Sequence, residues 1–455
     1  MKTRLLLVPA ACLLAFGVPA LADDWPQFRG PNRDDISRET GLLKTWPQKG
    51  PRLLWTCTDA GIGYSGPAVV GHRLYTMGAR GDTEYVFALD LNNKGKELWS
   101  AKIGPMNIWK DNYWNAGPAA TPTVDGDLVY ALGGQGELVC VAADGEKVRW
   151  RKNLPKELGA EVNPIGGGQG SSKNEPKMGW GYNWSPLVDG KRLICVPGGP
   201  QGTLAALDKK TGAVIWRSKR FTDQATYSSP ILAKVGGLRH YIQLTNEGIT
   251  GIAAKDGALL WHYPKTYPDV LIPAPIFHDD QVYATGHLAG CDLVEVTATN
   301  KSVKAKKVYA NRNMDNLEGG VLLVEGHVYG YSEGKGWVCQ DFKTGKITAS
   351  ERRKLKRGSL AYADGHLYCY GEDDGTVVLV RAAPAQWTKT SWKEDGRFTI
   401  PRLSTLRKPR GKVWTHPVIA DGKLFLRDQE LLFCFDIKDH SAGNGSAAKG
   451  EDRGQ

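Results

Sequence analysis

Aromatic, amide and carboxylate side chains occur together at several points in the chain, each time shortly before a β-branched run. The candidates are Trp109, Asp111, Asn112, Tyr113, Trp114, Trp180, Tyr182, Asn183, Trp184, Tyr227, Asp315, Asn316, Glu318, Trp414 and His416. Aromatic rings beside amides and carboxylates can stack on a sugar, a quinone or a peptide side chain while the polar groups fix its orientation. We therefore treat these residues as candidates for ligand binding. The alternative is that they only pack on one another and plug the space between them.

Signatures of catalysis or metal binding are weak elsewhere in the chain. His287, Cys291 and Asp292 carry ligand atoms, but their spacing fits no zinc template. The acidic turn at 372–375 offers oxygen ligands for calcium, yet its pattern favours a solvated hairpin. Two glycine-rich stretches lack the G-K-[ST] of a phosphate loop, and no G-x-S-x-G occurs. The sequence therefore predicts no metal site and identifies no catalytic residue.

The elements that must position the candidates form a repeat of Pro, a β-branched run, a Gly or Asp turn and an aliphatic–aromatic pair. The second residue of the pair, or its equivalent, marks the copies at Tyr75, Tyr130, Ile194, Tyr241, Tyr283, Tyr329, Tyr368 and Phe425. Each marker is followed by a turn, another apolar strand and a second turn, which predicts four short strands joined by hairpins. Such units must pack side by side to bury their faces. The sequence thus predicts an all-β, eight-bladed β-propeller of four-stranded antiparallel blades.

The two ends of the chain complement each other. Residues 53–55 resemble the end of a repeat whose beginning is missing, whereas the last repeat stops near Ile437 without its tryptophan strand. We therefore predict that an N-terminal strand completes the last blade and closes the ring. The connections that carry the candidate residues should then gather around one mouth of the central channel. The predicted organisation is a signal peptide at 1–22, an N-terminal extension at 23–52, the propeller at 53–438 and a disordered tail at 439–455.

Residues 206–216 have the order A-x-D-x-x-T-G-x-x-x-W. This order resembles the tryptophan-docking repeat of the quinoprotein alcohol dehydrogenase-like, or pyrroloquinoline-quinone-like, propeller family. Thr211 and Gly212 suit a tight turn, and the Trp216 indole suits the gap between adjacent blades. The segment 24–33 also resembles the opening of that superfamily. The architecture is similar to that of the outer-membrane assembly propeller lipoproteins.

The resemblance implies pyrroloquinoline quinone with calcium in the central funnel, because the family's enzymes hold their cofactor there. Many of these enzymes also carry a disulfide between adjacent cysteines, and some relatives carry a C-x-x-C-H haem site. This chain contains neither motif. No motif matches a catalytic base, an ion ligand or a quinone contact, so the resemblance supports the scaffold and leaves function to be argued from the site.

Seven cysteines remain after the predicted signal peptide. Five of them align with small residues on packed strands of other repeats: Cys140, Cys195, Cys339, Cys369 and Cys434. Cys57 and Cys291 lie outside that register. Because free cysteine behaves as a small buried hydrophobe, we predict reduced core thiols in preference to a disulfide framework.

The N-terminus predicts export to the periplasm or the cell exterior. Lys2 and Arg4 precede an apolar run at 5–18 and an A-x-A site at 20–22, and no later run is long enough to span a bilayer. Lipoprotein anchoring through Cys12 is disfavoured because Pro9 stands where an aliphatic residue is required. The net charge is +11, but acidic residues are interspersed and no nucleic-acid motif occurs, so no nucleic-acid partner is expected.

Three functional hypotheses remain at this stage. The favoured one is a noncatalytic, monomeric propeller that acts as a binding or assembly scaffold in the bacterial envelope, with an envelope protein, a peptide or a polysaccharide as partner. The alternative is a divergent pyrroloquinoline-quinone-dependent alcohol or sugar dehydrogenase, which requires convergent cations and carboxylates in the funnel. The third is a carbohydrate-binding propeller, suggested by the aromatic loops.

Overall fold

A computed structural model describes residues 24–108, 113–145, 147–164, 178–299, 302–388 and 391–441. Its described part contains eight four-stranded antiparallel sheets arranged as the blades of a β-propeller, which confirms the predicted fold class. The first strand, β1, spans Arg52–Cys57. Every marker residue lies in the second strand of a blade and is buried, so the repeat register read from the sequence is confirmed.

The first four blades follow one another along the chain. Blade 1 contains β2 to β5 (Ala68–Val70, Arg73–Arg80, Thr83–Asp90, Lys96–Pro105), and blade 2 contains β6 to β9 (Thr123–Asp125, Leu128–Leu132, Glu137–Ala142, Val148–Asn153). Blade 3 contains β10 to β13 (Leu187–Asp189, Arg192–Cys195, Ala205–Asp208, Val214–Arg217), and blade 4 contains β14 to β17 (Ile231–Val235, Leu238–Thr245, Gly248–Ala253, Leu259–Pro264).

The last four blades complete the ring. Blade 5 contains β18 to β21 (Ile276–His278, Gln281–Gly286, Gly290–Ala298, Val303–Asn311), and blade 6 contains β22 to β25 (Val321–Val324, His327–Ser332, Gly336–Asp341, Ile347–Glu351). Blade 7 contains β26, β27, β28 and β31 (Gly358–Ala363, His366–Gly371, Thr376–Arg381, Glu394–Thr399), with the hairpin β29–β30 (Trp387–Thr388, Ser391–Trp392) between its last two strands. Blade 8 contains β32 to β34 (Val418–Ala420, Lys423–Asp428, Leu431–Asp436) and β1.

Short helical segments join some of these strands. The helix α1 spans Leu154–Leu158. Asn153 caps its N-terminus, because the Asn153 side chain accepts a hydrogen bond from the Lys156 N–H. Two 3₁₀ turns span Leu91–Asn93 and Pro384–Gln386.

The ring closes between the two ends of the propeller, as the sequence predicts. β1 pairs antiparallel with β34, and Trp55 lies opposite Cys434. β1 thereby supplies the outermost strand of blade 8, and the middle strands of each blade lie between two neighbours; β7, for example, is buried at all five positions. The fourth strands alternate between exposed and half-buried residues because one of their faces meets solvent.

The tryptophan-docking motif works through a turn in one blade and an indole from the preceding blade. The Asp208 carboxylate accepts hydrogen bonds from the backbone N–H groups of Lys210 and Thr211 at 3.0 and 2.9 Å, which fixes the turn before Gly212. The Trp150 ring packs on Gly212, and its Nε1–H donates to the Lys209 carbonyl at 3.0 Å. The predicted role of the indole as filler between blades is confirmed.

Gly145 provides a test of this docking contact. It has φ +83° and lies under the Trp99 ring, so a Cβ there would overlap the indole, whereas Gly126 has φ +60° with open space around it. Both alanine variants should carry the left-handed backbone cost of about 1–2 kcal/mol. Only Gly145→Ala should lose a further ~1–3 kcal/mol to the clash. Urea unfolding of the two variants measures the difference, and equal losses would contradict the docking role.

Six of the seven described cysteines are buried, Cys57 is half-buried, and all seven are free thiols. Burial raises the pKa of Cys140, Cys195 and Cys434 to about 12. These thiols therefore stay protonated at neutral pH and pack as small apolar groups, in line with the prediction of reduced core cysteines.

A buried carboxyl lies between blades 1 and 2. Glu84 is fully buried, and its Oε2 accepts a hydrogen bond from the Gly134 N–H at 2.8 Å. Burial raises the pKa of Glu84 to about 7 from an ordinary value of 4.5. The folded state therefore holds a proton that the unfolded chain has lost across that interval, so stability falls as the pH rises from about 4.5 to about 7.

Glu84→Gln should remove this dependence, because the amide does not titrate. At about 1.4 kcal/mol per pKa unit, the unfolding free energy of the variant relative to the parent should rise by about 3 kcal/mol between pH 4 and pH 8. Urea titrations over that pH range measure the difference. Glu295→Gln, at an exposed strand position, controls for the loss of one acidic group. A difference between Glu84→Gln and the parent that stays constant with pH would refute the assignment.

Candidate functional site

The connections that precede the first strand of each blade surround a cavity of about 290 Å³ on the propeller axis. All eight blades contribute to its wall, so the cavity is a property of the whole ring. Its lining is mainly apolar, with a small number of polar and charged side chains. This combination is typical of a small-molecule site.

The N-terminal segment forms the floor of this cavity, which the sequence analysis did not foresee. Trp25, Phe28 and Arg29 line the cavity from below. The backbone of Trp25 pairs with Val69 in blade 1, and the segment around Ile36 pairs with Tyr362 in blade 7. The Pro26 carbonyl also accepts a hydrogen bond from the Val124 N–H of blade 2, and arginines of the segment reach blades 3, 4 and 6. The segment therefore spans the channel at one end.

Buried charges fix the N-terminal segment to the blades. Arg33 Nη1 donates to the Pro230 carbonyl at 2.8 Å, and Arg33 Nη2 donates to the Ser185 carbonyl at 3.1 Å. Arg29 donates to the Asp35 carboxylate and to the Val321 carbonyl. These bonds reach blades 3, 4 and 6 from one short stretch of chain.

Seven of the fifteen candidate residues line the cavity: Trp114, Trp180, Asn183, Tyr227, Glu318, Trp414 and His416. The structure thus brings together residues that lie up to 302 positions apart in the sequence. Trp109, Asp111 and Asn112 lie outside the described residues.

The other five candidates do not line the cavity, and each has a structural reason. Tyr182 packs on Gly136, and Trp184 is buried in the same apolar cluster as Tyr182. Asp315 Oδ1 accepts a hydrogen bond from the Leu288 N–H at 2.8 Å, and Asn316 Nδ2 donates to the Tyr331 carbonyl at 2.9 Å. Tyr113 is 60% exposed and lies beneath the Arg410 guanidinium. Because these side chains serve packing or loop geometry, we exclude them from the candidate site.

Three tryptophans form adjoining walls of the cavity. The ring centroids of Trp114 and Trp180 lie 5.8 Å apart at 71°, and those of Trp180 and Trp414 lie 6.0 Å apart at 80°. Tyr64 lies 4.9 Å from Trp414. The edge-to-face contacts hold the indoles at right angles to one another, a favourable arrangement for aromatic pairs.

A cluster of three carboxyl groups around one guanidinium forms the polar side of the cavity. Arg357 Nε lies 2.9 Å from Glu318 Oε1, Nη1 lies 2.8 Å from Glu333 Oε1 and Nη2 lies 3.0 Å from Glu372 Oε1. Trp414 Nε1–H donates to Glu372 Oε2 at 3.0 Å. Arg357, Glu333 and Glu372 are the members of this cluster that were not among the sequence candidates, although the acidic turn that contains Glu372 was noted.

The two carboxyl groups that face each other in this cluster differ in protonation. Burial and the neighbouring Glu372 raise the pKa of Glu318 well above its ordinary value. Burial opposes ionisation of Glu372 too, but hydrogen bonds from Glu318 and Arg357 hold its pKa below the ordinary value. Glu318 is therefore protonated while Glu372 is ionised, because two adjacent carboxylates repel each other.

A second ionic group joins the floor to the wall. The His416 Nδ1 atom lies 3.1 Å from Asp35 Oδ2, and Arg29 binds the same carboxylate. Burial opposes ionisation of Asp35, yet Arg29 and His416 hold its pKa below the ordinary value. Because Asp35 is ionised, His416 Nδ1 donates the hydrogen bond in this contact.

The weak metal candidates from the sequence do not converge. His287 Nδ1 lies 2.8 Å from Asp269 Oδ2, whereas Asp292 binds the Tyr263 hydroxyl and Lys265. Within the described ranges, no group of three or more His, Cys, Asp and Glu side chains has a metal-binding arrangement.

Comparison with known proteins places this architecture in a family. Residues 82–383 match the family model described as outer membrane protein assembly factor BamB. The chain belongs to this family. One curated member, the outer membrane protein assembly factor BamB of Alkalilimnicola ehrlichii, is 26% identical over 236 residues, which are 51% of this chain and 52% of that protein. The chain thus spans about half the length of the curated relative it matches.

Solved structures of low sequence identity share the fold of this BamB-family chain. BamB from Moraxella catarrhalis is 14% identical with a TM-score of 0.55, over 85% of this chain and 98% of that chain. A quinohemoprotein alcohol dehydrogenase from Comamonas testosteroni is 12% identical with a TM-score of 0.57, over 95% and 82%. The computationally designed Ika8 protein is 9% identical with a TM-score of 0.55, over 85% and 100%. The described residues contain no helix that is long and apolar enough to cross a membrane.

The cavity residues of this family member do not fit the quinone and ion that the dehydrogenase relatives imply. The quinone is a tricarboxylate, so it needs several cationic donors. The two arginines in the described lining, Arg29 and Arg357, are already paired with carboxylates. The guanidinium of Arg357 also lies between the carboxyl groups that would otherwise surround a calcium ion. The chemistry of the donor set therefore disagrees with this cofactor.

Proposed function

We propose that this BamB-family propeller is exported after removal of residues 1–22 and acts as a noncatalytic binding or assembly scaffold in the bacterial envelope. Its binding site is the central cavity, and its partner is an envelope protein, a peptide or a polysaccharide. The family match supports the scaffold role, and the A-x-A site at 20–22 supports export. The protein works as a monomer, because one chain completes the ring.

The neutralised charge cluster carries the noncatalytic part of the proposal. Arg357 is held by Glu318, Glu333 and Glu372, so the cavity wall offers a quinone no unpaired guanidinium among the described residues. A dehydrogenase would need to break these contacts before it could hold a tricarboxylate. The likeness to a quinohemoprotein alcohol dehydrogenase concerns the fold, which hosts many functions.

One experiment tests the noncatalytic role directly. Purified mature protein is incubated with pyrroloquinoline quinone and calcium, and the absorption spectrum of bound cofactor is recorded after desalting. Dye-linked oxidation of alcohols and sugars is then measured. We expect no retained quinone and no turnover. Stoichiometric quinone together with substrate oxidation would overturn the noncatalytic proposal and favour the dehydrogenase.

A second experiment tests the scaffold role. Protein carrying a photo-crosslinker at Asn183, which lines the cavity and is half-buried, is expressed with its signal peptide and crosslinked in the envelope. We expect a defined crosslinked product and recovery of the protein from the envelope fraction. Recovery from the cytoplasm with the N-terminus intact would contradict the proposed export.

A further inference from the structure

The cavity is lined by a buried polar atom that lacks a hydrogen-bond partner. Arg29 Nη1 is buried and has no such partner within the described part of the chain. The Arg29 side chain lines the cavity from the floor. An unsatisfied buried donor or acceptor costs about 1–3 kcal/mol, so a ligand that supplies the missing partner gains that energy.

Two further side chains present polar atoms to the same space. His416 lines the cavity, and its contact with Asp35 uses Nδ1, so Nε2 is the ring nitrogen left for a ligand. The amide of Asn183, which can both donate and accept, lines the wall that carries Trp180. The cavity therefore combines donors and acceptors instead of a single type.

The charges around the cavity are compensated within the protein. Arg29 is paired with Asp35, and Arg357 is surrounded by carboxyl groups. A ligand with a net charge would have to compete with these internal ion pairs. A neutral ligand whose groups both donate and accept satisfies the polar atoms without disturbing them, and hydroxyl groups have this property.

Much of the remaining lining is aromatic, and Val270, Ile272 and Leu317 add aliphatic surface. The rings of Trp114, Trp180 and Trp414 meet at steep angles and leave apolar surface facing the cavity, and Tyr64 and Tyr227 extend it. A sugar ring matches such a lining because one side of it carries C–H groups that pack on an aromatic ring, while its edge carries hydroxyls.

We propose that the central cavity binds a neutral sugar unit, whose hydroxyls contact Arg29, Asn183 and His416 and whose C–H face packs on the tryptophan walls. The inference rests on the proposed binding function and names the ligand class of that site. Because the N-terminal segment spans the channel at one end, the cavity receives a free sugar or the end of a glycan chain. An internal unit of a continuous chain does not enter it.

The test uses purified mature protein without added cofactor. Binding of glucose, galactose, mannose and N-acetylglucosamine is followed by tryptophan fluorescence and saturation-transfer NMR. Butylammonium and citrate are the cationic and anionic probes. We expect at least one neutral sugar to bind and both charged probes to fail. A linear glucan oligosaccharide and the cyclodextrin of equal length then distinguish the sources: a chain-end site binds the linear form more tightly than glucose, a free-sugar site does not, and neither binds the ring.

Three variants locate the binding. Trp180→Leu removes one aromatic wall and Asn183→Leu removes one amide of similar volume, so each should weaken sugar binding by about tenfold or more. Tyr113→Leu, a matched aromatic change outside the cavity, should bind as the parent does. Circular dichroism and melting temperature establish that each variant is folded. Since Asn183 is half-buried, its variant keeps the test valid if Trp180→Leu fails to fold.

Each outcome decides the inference. Absence of sugar binding by the folded parent, preference for a charged probe, or sugar binding that both cavity variants leave unchanged would overturn it. Failure here leaves the scaffold proposal standing, because a scaffold can bind a protein partner instead. Sugar binding accompanied by quinone-dependent oxidation would uphold the sugar site and overturn the noncatalytic function.

Discussion

Replacing Arg427 with methionine should lower the unfolding free energy by about 3–5 kcal/mol. Arg427 is completely buried in β33, at the seam where blade 8 meets blade 1. Its Nη1 donates to the Ser65 carbonyl at 2.8 Å and to the Met77 carbonyl at 2.6 Å, and its Nη2 donates to the Gly61 carbonyl at 2.8 Å. Methionine fills similar volume but provides no donor, so these buried acceptors lose their partner.

The charge of Arg427 survives burial. Burial lowers its pKa to about 10, which still leaves the guanidinium protonated at neutral pH. The surrounding carbonyls take the place of the water that would otherwise solvate the charge. Because these carbonyls belong to the first blade, Arg427 joins strands from opposite ends of the chain. Loss of the Arg427 hydrogen bonds should weaken ring closure, because these bonds join blade 8 to blade 1.

Urea unfolding followed by circular dichroism measures the effect. Arg52→Met is the matched control, since Arg52 lies in the same blade and pairs with Asp436 at 2.7 Å, but its side chain is 73% exposed. An exposed ion pair contributes about 0–1 kcal/mol, so this variant should stay close to the parent. Equal losses for the two variants would contradict the role assigned to Arg427.

Arg33→Met should have the second large effect, again about 3–5 kcal/mol, and should release the floor of the cavity. Arg33 is fully buried, and burial lowers its pKa to about 9, so it remains charged at neutral pH. Its guanidinium binds the carbonyls of Ser185, Pro186 and Pro230, while its Nε donates to Gln27 Oε1 at 3.0 Å. Without these bonds the N-terminal segment loses its connection to blades 3 and 4.

Limited chymotrypsin digestion provides a local readout of that release. Cleavage after Phe28 should become faster in Arg33→Met than in the parent, because this residue is held in the floor. Arg38→Met changes an exposed arginine of the same segment and should leave the cleavage rate unchanged. A segment that stays protected in Arg33→Met would show that other contacts suffice to hold it.

The markers of the repeat were predictable because they depend on neighbouring residues. A strand of period two, a turn with Gly or Asp and a tryptophan four residues beyond a T-G pair are local patterns, and Tyr130, Thr211 and Trp216 take the places that these patterns predict. Ring closure by residues 53–55 was predictable for a related reason, since one incomplete repeat requires its missing strand elsewhere.

The candidate site was predictable only in part. Residues were selected because they precede the first strand of a blade. This criterion selected Trp114, Trp180 and Trp414, which line the cavity, but it also selected Tyr182 and Trp184, which face the core. Side chains of residues that are neighbours in one connection point in different directions. Whether a side chain faces the cavity or the core depends on the space that the adjacent blade leaves. Arg357 was missed because its role depends on contacts with three glutamates that lie on other turns.

The sequence by itself determined the architecture of this protein: eight blades, their register, the docking indoles, the cysteines as packed thiols and the closure of the ring. Each of these follows from local turn chemistry, strand periodicity and the need of each blade to bury its faces. Only the tertiary structure decided the site. Arg29 and Val321 are 292 positions apart, yet they bind each other in the floor of the cavity. No local pattern encodes such a contact, because it arises only after the ring has closed around the N-terminal segment.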